Sequence, residues 1–417
     1  MLVKTILNRL QKHPGFLYGA IRLVGCLGTL SLEVDIFPHA RNRPRCSLCG
    51  RRSPGYDRLT QRRFEFVPLW GMKVFFLYTP RRVECRDCGI HVEAIPWAEG
   101  KHHLTTTFSW FLARWAQRLS WQEVSEVFHT SWEQVFRSVE MAVEWGREHI
   151  DLGGIQALGI DEIQWRMGQH YLTLVYQIDA QCKRLLWIGE ERTVKTTQSF
   201  FEWFGPQRSQ ALLFICSDMW KPYLQVIAEK AGQALHVLDR FHIVAHLSKA
   251  IDQVRAEEAK DLKAKGYEPV LTKTRWLLLK RPENLTANQE VRLADLLRYN
   301  LRSVRAYLLK EELQLFWEYV SPAWAGRFLD GWCKKVMRSR LDPMKKVARM
   351  LRSHRELILN WFRAKREISS GVVEGFNNKA KLTTRRAYGF RTFRAAEVAL
   401  YHALGNLPQP ETTHRFY

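Results

Sequence analysis

The sequence predicts a mixed α/β protein with a large helical segment, on three observations. Three consecutive strand-like segments are followed by alternating helix and strand, the pattern of a sheet with a meander and a parallel part. Two Cys-x-x-Cys-Gly knuckles lie ahead of that block. A long run of charged, amphipathic helix lies behind it.

Taken in order, residues 1–43 hold a short helix-like stretch and apolar strand segments such as "SLEVDIF". From Arg41 to Arg82 the composition shifts, with eleven Lys/Arg against two acids, Asp57 and Glu65. Arg51, Arg52, Arg62 and Arg63 are the candidate phosphate contacts there. Cys46, Cys49, Cys85 and Cys88 form the two knuckles. Each turn sets two thiolates on one tetrahedral edge and the following glycine relieves the tight bend, so together they predict a structural Zn²⁺ site in a module spanning 44–95. A redox pair needs only one such motif. "RRFEFVPLW" and "KVFFLY" fill the wide gap between the knuckles as strands, and Cys26, Cys182, Cys216 and Cys333 read as buried thiols.

Residues 96–150 turn helical. "LSWQEVSEVFHTSWEQVFRSVE" holds two capping boxes, Ser120 with Glu123 and Ser131 with Gln134, joined by a short turn. The pair suits a helix-turn-helix with Arg137 as its DNA contact; an ordinary packed helical hairpin is the alternative. In 151–244, "IQALGIDEIQW", "YLTLVYQID", "KRLLWIGE", "ALLFICSD" and "ALHVLDRFH" read as strands, with "TTQSFFEWFG" and "KPYLQVIAEKAG" as helices between the later ones. Residues 245–366 are helical, punctuated at Pro282, Pro322 and Pro343. Residues 367–405 carry a basic helix, and 406–417 read as a loose tail.

The carboxylates carry the chemistry. Asp161 and Asp218 each follow an apolar strand, where an acid must cap a turn or meet a cation. Glu374 is the only acid in "SSGVVEGFNNKAKLTTRRAYGFR". Oxygen ligands at strand ends suit Mg²⁺ (or Mn²⁺), and two such ions would act on a phosphodiester. Lys379, Lys381, Arg385, Arg386 and Arg391, with Asn377, are then expected to grip DNA beside Glu374. Asp239 and His242 are auxiliary candidates, with a structural cap as the alternative for Asp239. Glu162 is expected to stand apart from Asp161, because neighbouring strand residues face opposite ways.

A net charge of +22 and a pI near 9.8 point to a polyanionic partner, with nucleic acid the default. Membrane association is disfavoured: no apolar run approaches ~20 residues, and Lys4, Arg9 and Lys12 interrupt any leader-like core at the N-terminus. A cytoplasmic protein is expected.

"GIDEIQW", "SDMWKPY", "LDRFHIV" and "GVVEGFNNKAKLTTRRAYGF", behind the four-cysteine module, resemble the ISL-three family of bacterial insertion-sequence transposases, from about Pro44 to Leu404. The resemblance implies an RNase H-like catalytic domain interrupted by a helical insertion, with a DDE triad on Asp161, Asp218 and Glu374. It implies binding of double-stranded DNA at terminal inverted repeats and at a target, metal-dependent cleavage and strand transfer, at least a homodimer when active, and a nucleoid-associated location. A non-enzymatic DNA-binding regulator on an inert sheet, or an RNA-cleaving nuclease of the same fold, are the rival readings.

Overall fold

The computed structural model describes residues 3–26, 28–100, 102–267, 270–364, 370–387 and 389–411, with Ser370 and Arg386 described by backbone alone. The chain forms two compact units, Met1–Ile150 with Tyr401–Tyr417, and Asp151–Leu400.

The first unit opens with α1 (Val3–Leu10), β1 (Phe16–Val24), β2 (Ser31–Pro38), β3 (Gly55–Arg58), β4 (Arg62–Leu69), β5 (Met72–Tyr78), β6 (Arg81–Cys85) and β7 (Gly89–Val92). One sheet has the order β1-β2-β5-β4 and a small one the order β3-β6-β7. Because β2 pairs parallel with β5, the segment before residue 44 and the stretch between the knuckles share a sheet rather than forming separate modules. Strand alternation drives Val34, Phe64, Phe76 and Tyr78 inward, and Trp97 presents its ring against Phe16, Phe64 and Tyr78.

Three helices follow: α2 (Thr106–Trp115), α3 (Trp121–Val127) and α4 (Trp132–Glu148). Both expected capping boxes form, at Ser120 and Ser131, and they set the start of α3 and α4. The turn between them contains His129 at φ 50°, and Lys73 Nζ donates to its carbonyl at 2.7 Å, tying β5 to that turn. The described part of the expected loose tail is packed: Leu407 occupies the space a Cβ on Gly146 would need, and Arg114 Nε donates to Gln409 at 2.8 Å. Residues 412–417 lie outside the described residues.

The second unit begins with β8 (Ala157–Arg166), β9 (His170–Ile178), β10 (Lys183–Glu190), α5 (Val194–Phe204), α6 (Pro206–Gln210), β11 (Phe214–Ser217), α7 (Lys221–Ala231) and β12 (Leu235–Leu238). The sheet order is β10-β9-β8-β11-β12; β8, β9 and β10 form an antiparallel meander, and β11 and β12 run parallel to β8. Central β8 is apolar on both faces because both are covered. On one face Leu158 and Ile160 meet Phe200, Phe201, Phe204, Tyr223 and Val226 of α5 and α7; burying each such side chain contributes roughly 1.5–3 kcal/mol.

The helical set then runs α8 (Arg240–Ala264), α9 (Arg275–Leu279), α10 (Ala287–Leu297), α11 (Arg302–Gln314), α12 (Pro322–Met337), α13 (Asp342–Ser353), α14 (Arg355–Arg363), α15 (Ser370–Arg386) and α16 (Phe393–Leu404). Helices α8 to α14 share one core that includes Ile251, Leu278, Phe316, Trp332, Val336, Met344 and Phe362. Pro322 and Pro343 stand in the first turns of α12 and α13, where a missing N–H costs nothing. Helix α15 returns to β8 on the face opposite α5 and α7. Phe376 stacks on Tyr176, and Val373 lies so close to Gly159 that a Cβ there would come within 2.4 Å of its methyl.

Gly159 is therefore the seat of α15. Gly159→Val is expected to lower stability by about 1–3 kcal/mol, as overpacking does, and to speed hydrogen exchange across α15. Unchanged protection of 371–387 would mean the helix does not depend on this contact. His236 gives a second test. Burial pushes it down to about 4, and its Nε2 lies 2.8 Å from Ser217 Oγ. The unfolded chain binds a proton there below about pH 6.5 while the folded one does not until about 4, so stability falls as pH falls through that window. Denaturant midpoints at pH 7 and pH 5 should differ less in His236→Gln than in the parent.

Candidate active site

Parallel pairing ends with Ile160 opposite Ser217 and Ser217 opposite Leu238. The next residue on each of the three chains is an aspartate: Asp161, Asp218 and Asp239, at 7%, 7% and 4% exposure. Asp218 and Asp239 directly follow β11 and β12, but Asp161, expected to follow its strand, lies inside β8, which runs on to Arg166 paired with β9. Three buried carboxyls thus collect where the parallel pairing ends, the edge where open α/β sheets bind ligands.

Each is held by specific donors. Asp161 accepts the Glu162 amide at 2.8 Å and Asn377 Nδ2 at 2.5 Å, while Tyr176 O–H fixes Asn377 by donating to its Oδ1 at 2.8 Å. Asp218 accepts the Trp220 amide and Arg192 Nη2, both at 2.9 Å. Asp239 caps α8 by accepting the Phe241 amide at 2.6 Å. One turn into α8, His242 Nε2 stands 3.7 Å from Asp161 and 3.9 Å from Asp239. The ligand atoms of Asp161, Asp239 and His242 all lie within 4.8 Å of one another, and Asp218 and Glu374 are not part of that group.

The electrostatics follow from crowding. Burial, with Asp218 and Asp161 nearby, pushes Glu162 up to about 7. Burial also raises Asp218, against the opposing pull of the Trp220 amide and Arg192. Burial alone would lower His242, but Asp161, Asp239 and Asp218 together lift it to about 9, so it is charged at neutral pH. Before ligating a metal it must lose that proton.

Glu162 does face away from Asp161, toward α5 and α7, where Tyr223 O–H donates to it at 3.5 Å. It does not stand apart, however. Arg192 pairs with Glu162 at 2.7 Å through Nη1 and with Asp218 at 2.9 Å through Nη2, while stacking on Trp220 at 4.4 Å. Glu191, at φ 69°, turns the chain at the end of β10 so that Arg192 reaches over the sheet edge. No motif announces Arg192; the only clue in the sequence is that so many buried acids need a cation, whose position depends on how β10 ends.

Glu374 is half-buried on α15, between Val373, which meets Gly159, and Asn377, which meets Asp161. Spacing of three residues puts Glu374 and Asn377 on one helix face. Asn377, expected to contact DNA, is instead 5% exposed and turned to the sheet. Lys379, Lys381, Arg385 and Arg391 are exposed; Arg386 is placed by backbone alone, and its side chain lies outside the described residues.

The other expected DNA contacts are mostly engaged. Arg51 pairs with Asp87, Arg63 with Glu33 at 3.2 Å, and Arg137 with Glu133 at 2.6 Å. Arg62 donates to the carbonyls of Gly100 and His102, and Arg52 is exposed. Exposed ion pairs of this kind are worth about 0.2–1 kcal/mol, so a phosphate can displace them.

In the first unit, the Sγ atoms of Cys46, Cys49, Cys85 and Cys88 all lie within 4.8 Å of one another, with Cys49 and Cys85 at 3.5 Å. Tetrahedral zinc with bonds of ~2.3 Å needs sulfurs roughly 3.8 Å apart, so the cluster fits. Gly50 and Gly89 follow the knuckles at φ 69° and 81°, where glycine is favoured. Amides of Asp87 and Cys88 pull the Cys85 thiol down to about 6, while the neighbouring Cys49 sulfur and burial push Cys88 up to about 12, so a bound cation would have to supply the charge that holds all four as thiolates. His91, three residues past the second knuckle, contacts the Cys88 carbonyl at 2.6 Å rather than joining the four sulfurs. Of the remaining cysteines, Cys216 and Cys333 are buried as expected, but Cys182 is half-buried and Cys26 exposed.

Purified protein is expected to carry about one zinc per chain, and Cys49→Ser or Cys85→Ser to lose it and to unfold the β3-β6-β7 sheet at lower temperature. A metal-free preparation with unaltered melting would count against the cluster as a zinc site.

A family model described as transposase matches residues 158–400, nearly the whole second unit. The transposase for insertion sequence element IS1001 of Bordetella parapertussis is 30% identical over 349 residues, covering 83% of this chain and 85% of that protein. The transposase for insertion sequence element IS1557 of Mycobacterium tuberculosis H37Rv is 30% identical over 388 residues, covering 85% and 86%. With sheet, acid cluster and cysteine cluster in one chain, and matches of this extent, the protein belongs to the ISL-three family of insertion-sequence transposases.

Proposed function

We propose that this transposase binds the terminal inverted repeats of its element, cleaves DNA at their ends and joins the freed 3′-hydroxyl to target DNA. The observation that carries this reading is the set of three buried aspartates where the parallel pairing of β8, β11 and β12 ends, with a glutamate-bearing basic helix returned onto β8. The sheet order β10-β9-β8-β11-β12 supports an RNase H-like domain, with α8–α14 as its helical insertion. Asp161, Asp218 and Glu374 would be the DDE triad, with Asp239 and His242 auxiliary.

Oxygen donors with a single imidazole suit Mg²⁺ or Mn²⁺. When bound, such ions supply the charge that activates an attacking water or hydroxyl and stabilises the leaving oxygen at phosphorus. The protein's own part is positional. Asn377 and Tyr176 fix the Asp161 carboxylate, the Trp220 amide fixes Asp218, and Arg192 spreads one positive charge between Asp218 and Glu162. Lys379, Lys381, Arg385 and Arg391 would hold the DNA backbone beside Glu374, with Arg386 a further candidate on the same helix. In the first unit, the cysteine module with Zn²⁺, together with α3 and α4 as a helix-turn-helix, would recognise the ends. Joining two ends calls for at least a homodimer.

Asp161→Asn, Asp218→Asn and Glu374→Gln are each expected to keep end binding and to lower cleavage of an end-bearing duplex in Mg²⁺ by about 100-fold or more. The triple variant should be scarcely worse than any single one, since residues acting as a unit are not additive. Glu162→Gln should lower the rate by less, through Arg192 and Asp218. Near-parental cutting by Glu374→Gln would remove it from the triad, and a parent protein that binds ends without ever cutting would favour the non-enzymatic regulator.

A further inference from the structure

Between Lys334 and Arg352 the chain carries eight cations, Lys334, Lys335, Arg338, Arg340, Lys345, Lys346, Arg349 and Arg352, and one acid, Asp342. That is +7 of the chain's net +22. The stretch is the end of α12, the connection and α13, which pack on each other as a helical hairpin. Lys335 pairs with Glu312 and Lys345 with Asp342, at 2.8 and 2.9 Å. The other six are exposed and, among the described residues, form no ion pair.

The arrangement is ordered rather than scattered. Pro343, Met344, Val347, Ala348 and Leu351 bury one face of α13, so Lys346, Arg349 and Arg352, at spacings of three, line the opposite one. Arg352 reaches back toward Cys333 on α12, beside Lys334, and Arg340 sits in the connection at φ 61°. Like charges at such spacings cost a helix a few tenths of a kcal/mol per pair; Asp342, already paired with Lys345, is the one acid of the stretch and attracts Lys346 and Arg349 only at longer range, which leaves most of the repulsion in place. A polyanion would relieve it. Helix α13 is about 18 Å long, enough to follow the phosphates of roughly five base pairs. It also packs on α8, the helix that begins at Asp239 and His242, so the hairpin stands on the scaffold of the acid cluster.

We propose that the α12–α13 hairpin is a second DNA-binding surface, which holds duplex DNA by its phosphates without reading bases. It is separate from the basic face of α15 and from the first unit, and it presupposes only that the transposase meets duplex DNA.

The test is the full-length triple variant Lys346→Ala, Arg349→Ala, Arg352→Ala, which keeps helix propensity. Fluorescence anisotropy with a duplex of unrelated sequence, read from low to moderate salt, should show weaker binding and a log–log salt slope shallower by about two to three, near 0.9 for each lost phosphate contact. The circular dichroism melting curve should be unchanged or shifted up. A parental slope and affinity in a folded variant would overturn the proposal while leaving the transposase reading intact. A change confined to RNA or heparin, with duplex DNA binding unaltered, would overturn it as well. Failure of the parent itself to bind duplex DNA would overturn both.

Discussion

Like charges buried together repel, and the second unit is arranged around that cost. Asp161 within β8, and Asp218 and Asp239 just past β11 and β12, stand in register where the parallel pairing ends, with Glu162 on the reverse face. Two cations ease the conflict from within the protein: Arg192, shared by Asp218 and Glu162, and His242, charged because the aspartates surround it. Both lie where a divalent ion would relieve the same repulsion. Four carboxyls against two cations leave an excess of negative charge at this edge, which a bound divalent cation would offset.

Much of this was legible beforehand because it is written locally. Strand segments, helix starts at Ser120 and Ser131, and the knuckle glycines are each determined by residues within a few positions. Asp161 and Asp218 were legible because an acid directly after an apolar run violates the pattern around it, although the strand carrying Asp161 runs on to Arg166. What the sequence hid is non-local. Glu162 follows the alternation rule yet joins the site through Arg192, whose direction depends on a left-handed Glu191. Asn377 sits in a run of polar and basic residues, so it reads as a surface contact; only the seating of α15 on Gly159 reveals that it faces Asp161. The packed segment 406–411 was likewise invisible, because its partners are far back in the chain: Gly146 lies 261 residues before Leu407 and Arg114 lies 295 before Gln409.

The excess positive charge is not spread evenly. In the first unit most of the expected phosphate contacts already have partners, and Arg137 on α4 faces Glu133. The exposed cations of α15 and of the α12–α13 hairpin are less encumbered. Weak surface pairs of this kind exchange one anion for another at little cost.

The hydrogen bond from Asn377 to Asp161 joins residues 216 positions apart. During synthesis at about 5–20 residues per second, the strand carrying Asp161 waits on the order of ten to forty seconds for the helix that completes its surroundings. For that interval the nascent chain lacks both α15 and the 401–411 segment that packs into the first unit. A chain cut short before α15 would therefore lack two closures at once: the Asn377 donor to Asp161 in the second unit, and the Leu407 and Gln409 contacts that hold Gly146 and Arg114 in the first.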